Sequence, residues 1–507
     1  MQLDQIYLNA LRTAPDKVAI TCGGQICTYQ QLDDAVNRQA RALMGRGIGH
    51  GDRVGLWMHN RMEMIELYLA CFRIGAIAVP LPCLYQTPEV IYAAGQSKCR
   101  LLLADPDLYP KAQDVPKKVF SLEEVLVVGD GSAPQDASRE ELVRQAPAQV
   151  QWPPVEASDP AALFYTSGTT SRPKGVTHSH QTFYHTAVNK RGALHLTDQD
   201  ICIVATFISH VHAFAALTLP SLLCGGTVVL LSAFDPGVFL EELIRHRATV
   251  GSLLPDQLLG VLEHPQAKKE SFQSLRLVLC GGDTVPSHLH ELFYNLTGFE
   301  LTEGIGMTEC EGYCLNLPFR KRGSVGRPIQ DTEMRLVDAS GQDVPRGEVG
   351  EILVRSPAVM VGYWNDPENT AKAFLDGWLR TGDLARQDEE GNYYFAGRIK
   401  QIIVRASHNI APGEVENVLD DHPKVKVSGV VGLPDERYGQ RVHAFVVPDR
   451  DQGAVPTAEE LTRFAAARLA HFKVPQSWTF LDQLPLNPSG KIDRRGLQDL
   501  AKQHLEI

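Results

Sequence analysis

Residues 164–176 read FYTSGTTSRPKGV, a loop of small hydroxyl-bearing residues and glycine that is closed by a lysine. The loop follows the apolar run of residues 161–164, which has the character of the end of a buried strand. Oriented backbone amides and a lysine both favour clustered negative charge, so the loop is suited to a phosphate chain. It differs from the ordinary nucleoside-triphosphatase loop, because Lys174 is followed by Gly175 and not by serine or threonine. Taken alone, the stretch is also compatible with an exposed polar loop without a ligand.

Length and composition indicate an enzyme of more than one domain. The chain has 507 residues, of which 44% are hydrophobic and 21% charged, and this length exceeds what one core supports. A formal net charge of −11 argues against nucleic acid or an anionic membrane surface as the main partner. An anionic substrate therefore needs local basic groups, such as Lys174.

The ten cysteines are scattered and form no CxxC pair, which disfavours a structural zinc site. Several lie in apolar runs typical of core. The chain opens with MQLDQIYLNALRTAPDK, an amphipathic pattern without the basic region and cleavage site of a signal peptide. We therefore expect a reducing, cytoplasmic compartment.

Residues 201–234 contain no acidic or basic side chain other than those of His210 and His212. This length would suit a membrane span. Pro220 and the pair Gly225 and Gly226 interrupt the stretch, however, and TVVLL at 227–231 has the β-branched character of a strand. The pattern predicts a buried helix, a turn and a buried strand, with no membrane span.

Helical and strand-like patterns alternate through the first half. TYQQLDDAVNRQARALMGRG and MIELYLACFRIG read as helices, and DRVGLWM and AIAVPLP read as strands. This alternation predicts an α/β fold with a mostly parallel sheet covered on both faces. Residues 129–160, rich in Pro, Ala, Gln and Asp, are predicted to be an exposed connection.

The last hundred residues have an α+β pattern, the size of a small domain. GNYYFAGRIKQIIV is predicted to contain a strand, the short GRIK and another strand. After it, helices are predicted in APGEVENVLDDHPKV and TAEELTRFAAARLA, and strands in VSGVVGLP and VHAFVVP. We predict a large N-terminal domain, residues 1–397, and a small mobile C-terminal domain, residues 398–507, with a hinge near Lys400.

Several separated motifs occur together. They are YTSGTTSRPKG (165–175), CGGD (280–283), GIGMTE (304–309), GYWNDPENTAKAF (362–374), WLRTGDLA (378–385), GRIKQIIVRASHNIAPGEVE (397–416) and PLNPSGKIDRR (485–495). In these motifs, over nearly its whole length, the sequence resembles the superfamily of acyl- and aryl-CoA synthetases, adenylation domains and firefly-type luciferases. The resemblance implies an N-terminal domain of packed α/β sheets, a small mobile C-terminal domain and a two-step reaction. ATP and a carboxylic acid give an acyl-adenylate and pyrophosphate, and a thiol then displaces AMP.

The resemblance implies a phosphate site and a metal site. A carboxylate that attacks the α-phosphorus needs cations and donors that absorb the developing charge. Six residues are expected at the β- and γ-phosphates: Thr166, Ser167, Gly168, Thr169, Thr170 and Lys174. Glu309 is expected to hold Mg²⁺, which prefers a carboxylate with phosphate oxygens, and Thr308 is expected near the α-phosphate.

The same resemblance implies a nucleoside site. Asp383 corresponds to an aspartate that binds the ribose hydroxyls, although TGD is also compatible with a plain turn before a strand. Arg398 corresponds to an arginine near the ribose, and Lys400 to the hinge. Two glycine-rich segments are expected to line the two sides of the adenine: Gly304, Ile305, Gly306 and Met307 on one, and Gly281, Gly282 and Asp283 on the other.

Two further catalytic assignments come from the resemblance. Lys491 corresponds to a lysine that the small domain inserts during adenylation; a solvated lysine in a C-terminal turn is the alternative. His210 corresponds to a residue that borders the acyl pocket and gates the carboxylate. His212 has a weaker claim and is also compatible with a hydrogen-bonded core histidine. On a strand the two histidines would face apart, which argues against a shared metal.

The sequence departs from the family pattern at two places. Ser171 stands where a glycine is usual, which restricts the loop backbone. Ala406 and Ser407 stand where many CoA ligases have glycine in the loop that lines the pantetheine tunnel, so the acceptor thiol is left open. The stretch HVHAFAAL also lacks the aspartate with which adenylation domains pair an α-amino group. We therefore expect an aliphatic or aromatic acid and not an α-amino acid, in an apolar pocket formed by Val211, Phe214, Ala215 and Leu217.

Three functions remain to be compared. The leading hypothesis is an AMP-forming acyl-CoA ligase that uses ATP, Mg²⁺ and CoA. The second is a ligase that loads the phosphopantetheine arm of an acyl carrier protein, and the departure at Ser407 motivates it. The third, from another class, is a nucleotide- or acyl-binding protein without turnover, against which the joint presence of Lys174, Glu309, Asp383 and Lys491 speaks.

Overall fold

The computed structural model describes residues 3–129, 138–166, 173–282, 285–318, 320–405, 408–435, 437–450, 454–486 and 492–504. Its strands are β1 (Val18–Cys22), β2 (Gln25–Thr28), β3 (Arg53–Trp57), β4 (Ile77–Leu81), β5 (Leu101–Ala104), β6 (Glu124–Val127), β7 (Pro160–Thr166), β8 (Lys174–Ser179), β9 (Ile201–Val204), β10 (Thr227–Leu230), β11 (Val250–Leu253), β12 (Leu277–Gly281), β13 (Thr302–Met307), β14 (Cys310–Leu315), β15 (Arg327–Pro328), β16 (Glu333–Val337), β17 (Val349–Arg355), β18 (Gly362–Tyr363), β19 (Phe374–Leu375), β20 (Trp378–Gln387), β21 (Tyr393–Arg398), β22 (Ile403–Arg405), β23 (His408–Ile410), β24 (Val425–Asp435), β25 (Gly439–Pro448) and β26 (Ser477–Phe480).

The α-helices are α1 (Leu8–Thr13), α2 (Tyr29–Gly45), α3 (Met62–Arg73), α4 (Thr87–Ser97), α5 (Tyr109–Ala112), α6 (Arg139–Arg144), α7 (His180–Ala193), α8 (Leu219–Cys224), α9 (Pro236–His246), α10 (Pro255–Leu262), α11 (Ser287–Thr297), α12 (Pro367–Ala373), α13 (Pro412–Asp420), α14 (Ala458–Ala466) and α15 (Arg494–His504). A π-helix, His212–Thr218, precedes α8. Short 3-10 turns lie at Leu3–Gln5, Lys269–Phe272, Ile399–Gln401 and His471–Lys473.

Two large sheets form most of the N-terminal part. The first has nine strands in the order β15-β14-β13-β12-β11-β9-β10-β1-β2, and the second has seven in the order β18-β8-β7-β4-β3-β5-β6. Both are parallel in the middle and antiparallel at one or both ends. The predicted helices and strands of the first half match α2, β3, α3 and β4, so the mostly parallel α/β fold is confirmed.

The main hydrophobic core contains helices α2, α3 and α7 and the π-helix. The Phe214 ring stacks on Tyr68 with centroids 3.9 Å apart, and both side chains are fully buried. Helix α7 begins at a capping box in which the Ser179 hydroxyl accepts a hydrogen bond from the backbone N–H of Thr182. This cap satisfies a donor that the first turn would leave unpaired, and it fixes where α7 starts beside the site described below.

Two smaller sheets complete the fold. One has β16, β17, β20 and β19 in order, with β21 added to β20. The other, made of β23, β22, β25 and β24 with β26 beside β25, packs with α13 and α15. The last part of the chain is thus α+β, as the sequence predicted, and it is the smaller of the two parts.

Two local predictions need correction. Residues 129–160 are not only an exposed connection, because they contain α6, whose Leu142 is buried and whose Arg139 pairs with Glu66 at 2.9 Å. Residues 201–234 begin with a strand, β9, that was not predicted; the helix, turn and strand that follow were. No helix in the described part of the chain combines the length and apolar character needed to cross a membrane.

Candidate active site

The phosphate-loop motif lies between two paired strands. Thr166 ends β7 and Lys174 begins β8, and these two residues are partners across the antiparallel pair. The strand predicted before the loop is therefore present. The expected phosphate residues Ser167, Gly168, Thr169 and Thr170 lie outside the described residues.

Lys174 and Glu309 both contact the side chain of Tyr363. The Lys174 Nζ lies 3.9 Å from the centroid of the Tyr363 ring, and the Tyr363 hydroxyl donates a hydrogen bond of 2.7 Å to Glu309 Oε1. Tyr363 is held there because β18 pairs with β8. Tyr363 lies within the motif GYWNDPENTAKAF, but the motif by itself gave no reason to assign it a role.

Burial governs the electrostatics of this group. Partial burial lowers the pKa of Lys174, an effect that the Glu309 carboxylate opposes and the nearby Lys400 ammonium reinforces. Burial, with Glu309 adding to it, raises the pKa of Tyr363, so this phenol stays protonated and remains a donor. Glu309 itself is buried, and a buried carboxylate requires compensation by donors or cations.

A buried histidine fixes the turn that carries Thr308. The His178 Nε2 donates to the Thr308 carbonyl oxygen at 2.7 Å, and the turn joins β13 to β14. Burial lowers the pKa of His178 to about 4, so the ring is neutral at pH 7. His178 was not among the predicted site residues, because its contact with Thr308 spans 130 residues and no local pattern marks it.

The two predicted glycine-rich segments are neighbours. Gly281 at the end of β12 pairs with Gly304 on β13, and Ile305, Gly306 and Met307 continue β13. A side chain at 306 would not fit, since its Cβ would lie 2.2 Å from the Gly312 nitrogen. Gly282 has a left-handed φ of 87°, which favours glycine, and Asp283 lies outside the described residues.

Asp383 is not part of a plain turn, since it lies within β20 and is almost fully buried. It is the strand partner of Arg398, whose Nε donates to Asp383 Oδ1 at 2.8 Å. The Tyr313 hydroxyl lies 3.5 Å from Asp383 Oδ2. The two residues expected at the ribose are therefore in contact, and Lys400 follows them in an exposed turn.

The two histidines were predicted to lie on a strand, and this prediction is wrong. His212 is the first residue of the π-helix, and His210 lies just before it. His212 Nδ1 donates to Glu311 Oε1 at 2.7 Å, and Ser252 Oγ lies 2.9 Å from its Nε2. The alternative of a hydrogen-bonded histidine therefore describes His212.

The four residues expected to form an apolar pocket belong to the main core. They are Val211, Phe214, Ala215 and Leu217, of which three have no exposed surface and Val211 has 5%. The prediction failed because a ligand pocket and a hydrophobic core require the same residue types. The remaining predicted residues, Ala406, Ser407 and Lys491, lie outside the described part of the chain.

Comparison with known proteins decides the family. Residues 8–364 match the AMP-binding enzyme family, and residues 414–491 match the AMP-binding enzyme C-terminal domain. The chain belongs to the AMP-binding enzyme family. The resemblance stated from the motifs, the two-part fold and the enzyme class of AMP-forming acid–thiol ligases are thereby confirmed.

Relatives within the family span the whole chain. Feruloyl-CoA synthase of an Amycolatopsis species is 37% identical over 485 residues, which cover 95% of each chain. Fatty acid–[acyl-carrier-protein] ligase ScoC of Streptomyces coeruleorubidus is 33% identical, covering 96% of this chain and 93% of its own. The ATP-bound crystal structure of MatB from Rhodopseudomonas palustris superposes with a TM-score of 0.91 at 30% identity, covering 99% of this chain and all of that one. This AMP-binding enzyme is therefore ATP-dependent and activates a small-molecule acid.

Proposed function

We propose that this AMP-binding enzyme joins a carboxylic acid to ATP, releasing pyrophosphate, and then transfers the acyl group of the acyl-adenylate to the thiol of CoA, releasing AMP. The observation that carries the proposal is the group formed by Lys174, Tyr363 and Glu309. It brings a cation and a buried carboxylate together at the end of the hydroxyl-rich loop. Such a group suits a triphosphate better than a neutral ligand.

Lys174 is assigned to the phosphate chain, where its charge offsets that of the departing pyrophosphate. Glu309 is assigned to Mg²⁺. Its Oε1 accepts the Tyr363 hydroxyl, and no described residue donates to its Oε2, which fits an ion that takes one carboxylate and phosphate oxygens. When bound, Mg²⁺ neutralises phosphate charge. The role of Tyr363 is to orient the carboxylate.

Asp383 is assigned to the ribose, because a carboxylate accepts hydrogen bonds from two neighbouring hydroxyls. Arg398 holds one of its oxygens and so orients it. The adenine is placed along β13, beside the strand partners Gly281 and Gly304. These assignments follow the positions of the family motifs.

The reacting carboxylate is placed between His210 and Thr308. The buried His178 fixes the Thr308 backbone, so the turn does not have to be ordered when substrate binds. Lys491 is proposed to bridge the carboxylate and the α-phosphate in the first step only. Ten cysteines without a disulfide support the cytoplasm as the compartment.

The test is pyrophosphate release from ATP with a panel of carboxylic acids, followed by thioester detection after CoA is added. We expect acid-dependent pyrophosphate release and a CoA thioester. If no acid in an aliphatic and aromatic panel releases pyrophosphate, the proposal is wrong.

A second acceptor, the phosphopantetheine arm of a carrier protein, is proposed as the alternative. It is supported by the similarity to the acyl-carrier-protein ligase of Streptomyces coeruleorubidus and by Ser407 in place of glycine. The same assay separates the two acceptors: thioester on a carrier protein, with none on CoA, would favour the alternative.

A further inference from the structure

Three side chains that could hold a metal ion meet at one edge of the seven-stranded sheet. His59 follows β3, and Asp105 and Asp107 follow β5. One nitrogen or oxygen atom from each of the three lies within 4.8 Å of those of the other two. The closest printed contact joins His59 Nε2 to Asp107 Oδ2 at 3.1 Å. The reaction proposed above gives none of these residues a role.

The topology of the sheet brings this group together. Strand β3 lies between β4 and β5 and is parallel to both. Trp57 at the end of β3 pairs with Ala104 at the end of β5, so the residues that follow leave the sheet at the same edge. The chain then continues into α3 in the main core after β3, but into α5 in a second core on the opposite face after β5. In open α/β sheets, ligands bind where neighbouring connections part in this way.

The Asp105 carboxylate is fixed in position. It is 4% exposed. Its Oδ2 accepts a hydrogen bond from the backbone N–H of His59 at 2.6 Å, and its Oδ1 accepts one from Arg61 at 2.6 Å. A carboxylate offers about four lone-pair sites, so each oxygen retains one. Hydrogen bonds of this kind orient the carboxylates that bind metals in proteins.

The group carries an excess of negative charge. Arg61 is shared between Asp105 and Glu63. Among the described residues, Asp107 pairs with His59 and with no lysine or arginine. Three carboxylates therefore share one guanidinium, and a further cation at this edge would be attracted by them.

A thiol adds to the group from the other side of β3. Cys83 follows β4, whose Leu81 is the strand partner of Trp57. Cys83 interacts with the imidazole of His59 and, together with Asp107, raises the pKa of His59 to about 9 against the opposing effect of burial. The neighbours of this ring therefore favour positive charge at its position.

We propose that His59, Asp105 and Asp107 bind one divalent transition-metal ion of the Zn²⁺ type. An imidazole nitrogen with carboxylate oxygens suits Zn²⁺, whereas Mg²⁺ prefers oxygen ligands alone. Bonds of about 2.0–2.2 Å in a tetrahedral site put two ligand atoms about 3.4 Å apart, close to the distance between His59 Nε2 and Asp107 Oδ2. The ion replaces the proton between these two atoms and joins the end of β3 to the end of β5. The site is independent of the proposed reaction.

The test is equilibrium dialysis of the full chain against Zn²⁺, with Mg²⁺ in excess throughout. We expect the wild type to bind one Zn²⁺ at this site, and we expect Mg²⁺ not to displace it. Asp107→Asn and His59→Ala should each weaken Zn²⁺ binding by more than about 10-fold, the lower limit for loss of even an outer-shell partner of a metal. The Asp107 side chain is 63% exposed, so its replacement leaves the core unchanged.

His50→Ala is the matched control. His50 also pairs with an aspartate, Asp159, at 2.7 Å, but in the described part of the chain it belongs to no group of three metal-ligating side chains. Its Zn²⁺ affinity should equal that of the wild type. Melting curves give a second readout, because an ion that binds only the folded chain stabilises it. Zn²⁺ should raise the melting temperature of the wild type and of His50→Ala, and not that of Asp107→Asn.

Two results overturn the inference. One is a Zn²⁺ affinity that is the same in the wild type as in either His59→Ala or Asp107→Asn, which includes a wild type that binds no Zn²⁺. The other is displacement of Zn²⁺ by Mg²⁺ at equal concentration, since the imidazole would then not be a ligand. Neither result affects the proposed function, because pyrophosphate release is not measured in this test.

Discussion

Asp383 and Arg398 face each other across two antiparallel strands, and Arg398 Nε donates to Asp383 Oδ1 at 2.8 Å. The carboxylate is almost fully buried, whereas 43% of the arginine side chain is exposed. Arg398 therefore orients an aspartate that cannot turn toward solvent. Arg398 is the last residue of β21 and directly precedes the turn that contains Lys400. The pair therefore lies where the proposed mobile domain begins.

Replacing Asp383 by alanine should weaken AMP binding. The loss of hydrogen bonds between the ribose hydroxyls and a charged group is expected to cost on the order of 1.5–3 kcal/mol. Calorimetric titration with AMP measures it. Asp338→Ala is the control, because among the described residues this aspartate accepts hydrogen bonds only within its own exposed turn. Unchanged AMP affinity in Asp383→Ala would remove this residue from the nucleotide site.

Glu309→Gln should preserve the Tyr363 contact, because an amide oxygen also accepts, but it removes the negative charge. We expect pyrophosphate release to fall on the order of 100-fold or more, as for other losses of transition-state electrostatics, with a raised Mg²⁺ requirement. The measurement is a Mg²⁺ titration of the first half-reaction. Glu368→Gln, at an exposed carboxylate of α12, serves as the control; equal Mg²⁺ dependence in all three proteins would contradict the assignment.

Lys491→Ala is expected to abolish adenylation and largely spare thioester formation from supplied acyl-AMP. The reason is that this lysine is assigned to the first half-reaction only. Single-turnover assays of each half-reaction test it, with Lys502→Ala, at an exposed lysine of α15, as the control. Equal loss of both half-reactions would refute the assignment.

The hinge is tested with Lys400→Pro, which fixes φ and removes one amide donor. If the small domain pivots here, one arrangement is trapped, and we expect adenylation to survive better than thiol transfer. Lys400→Ala removes the charge but leaves the backbone free, so it should spare transfer. A proline variant with both half-reactions intact would place the hinge elsewhere.

His178 should make stability depend on pH. Its pKa is lowered to about 4 in the fold and is about 6.5 when unfolded. Between these values the unfolded chain binds more protons, so stability falls as pH is lowered from 6.5 toward 4, by about 3 kcal/mol in total. His178→Gln lacks this dependence. The difference in the free energy of unfolding between the wild type and this variant should therefore be smaller at pH 5 than at pH 7. Denaturant unfolding of both proteins measures the difference, and a constant deficit would contradict the prediction.

The sequence alone determined the family and the order of the secondary structure. Alternating patterns predicted α2, β3, α3 and β4, since amphipathic and apolar periodicity are local properties. The spaced motifs indicated one family of enzymes, and within it they predicted site roles for Thr308, Glu309 and Asp383. Local composition misled in more than one place: the polar residues 129–160 contain helix α6, and Phe214 with its apolar companions packs against Tyr68 in the core.

Only the tertiary structure decided which of these residues meet. Tyr363 reaches Glu309 across 54 residues of chain, and His178 reaches Thr308 across 130. The buried Lys190 of α7 packs against β14 only because that strand has a glycine at 312. Such contacts depend on how separate elements pack, and a pattern along the chain reports the face of each element but not the partner it will meet.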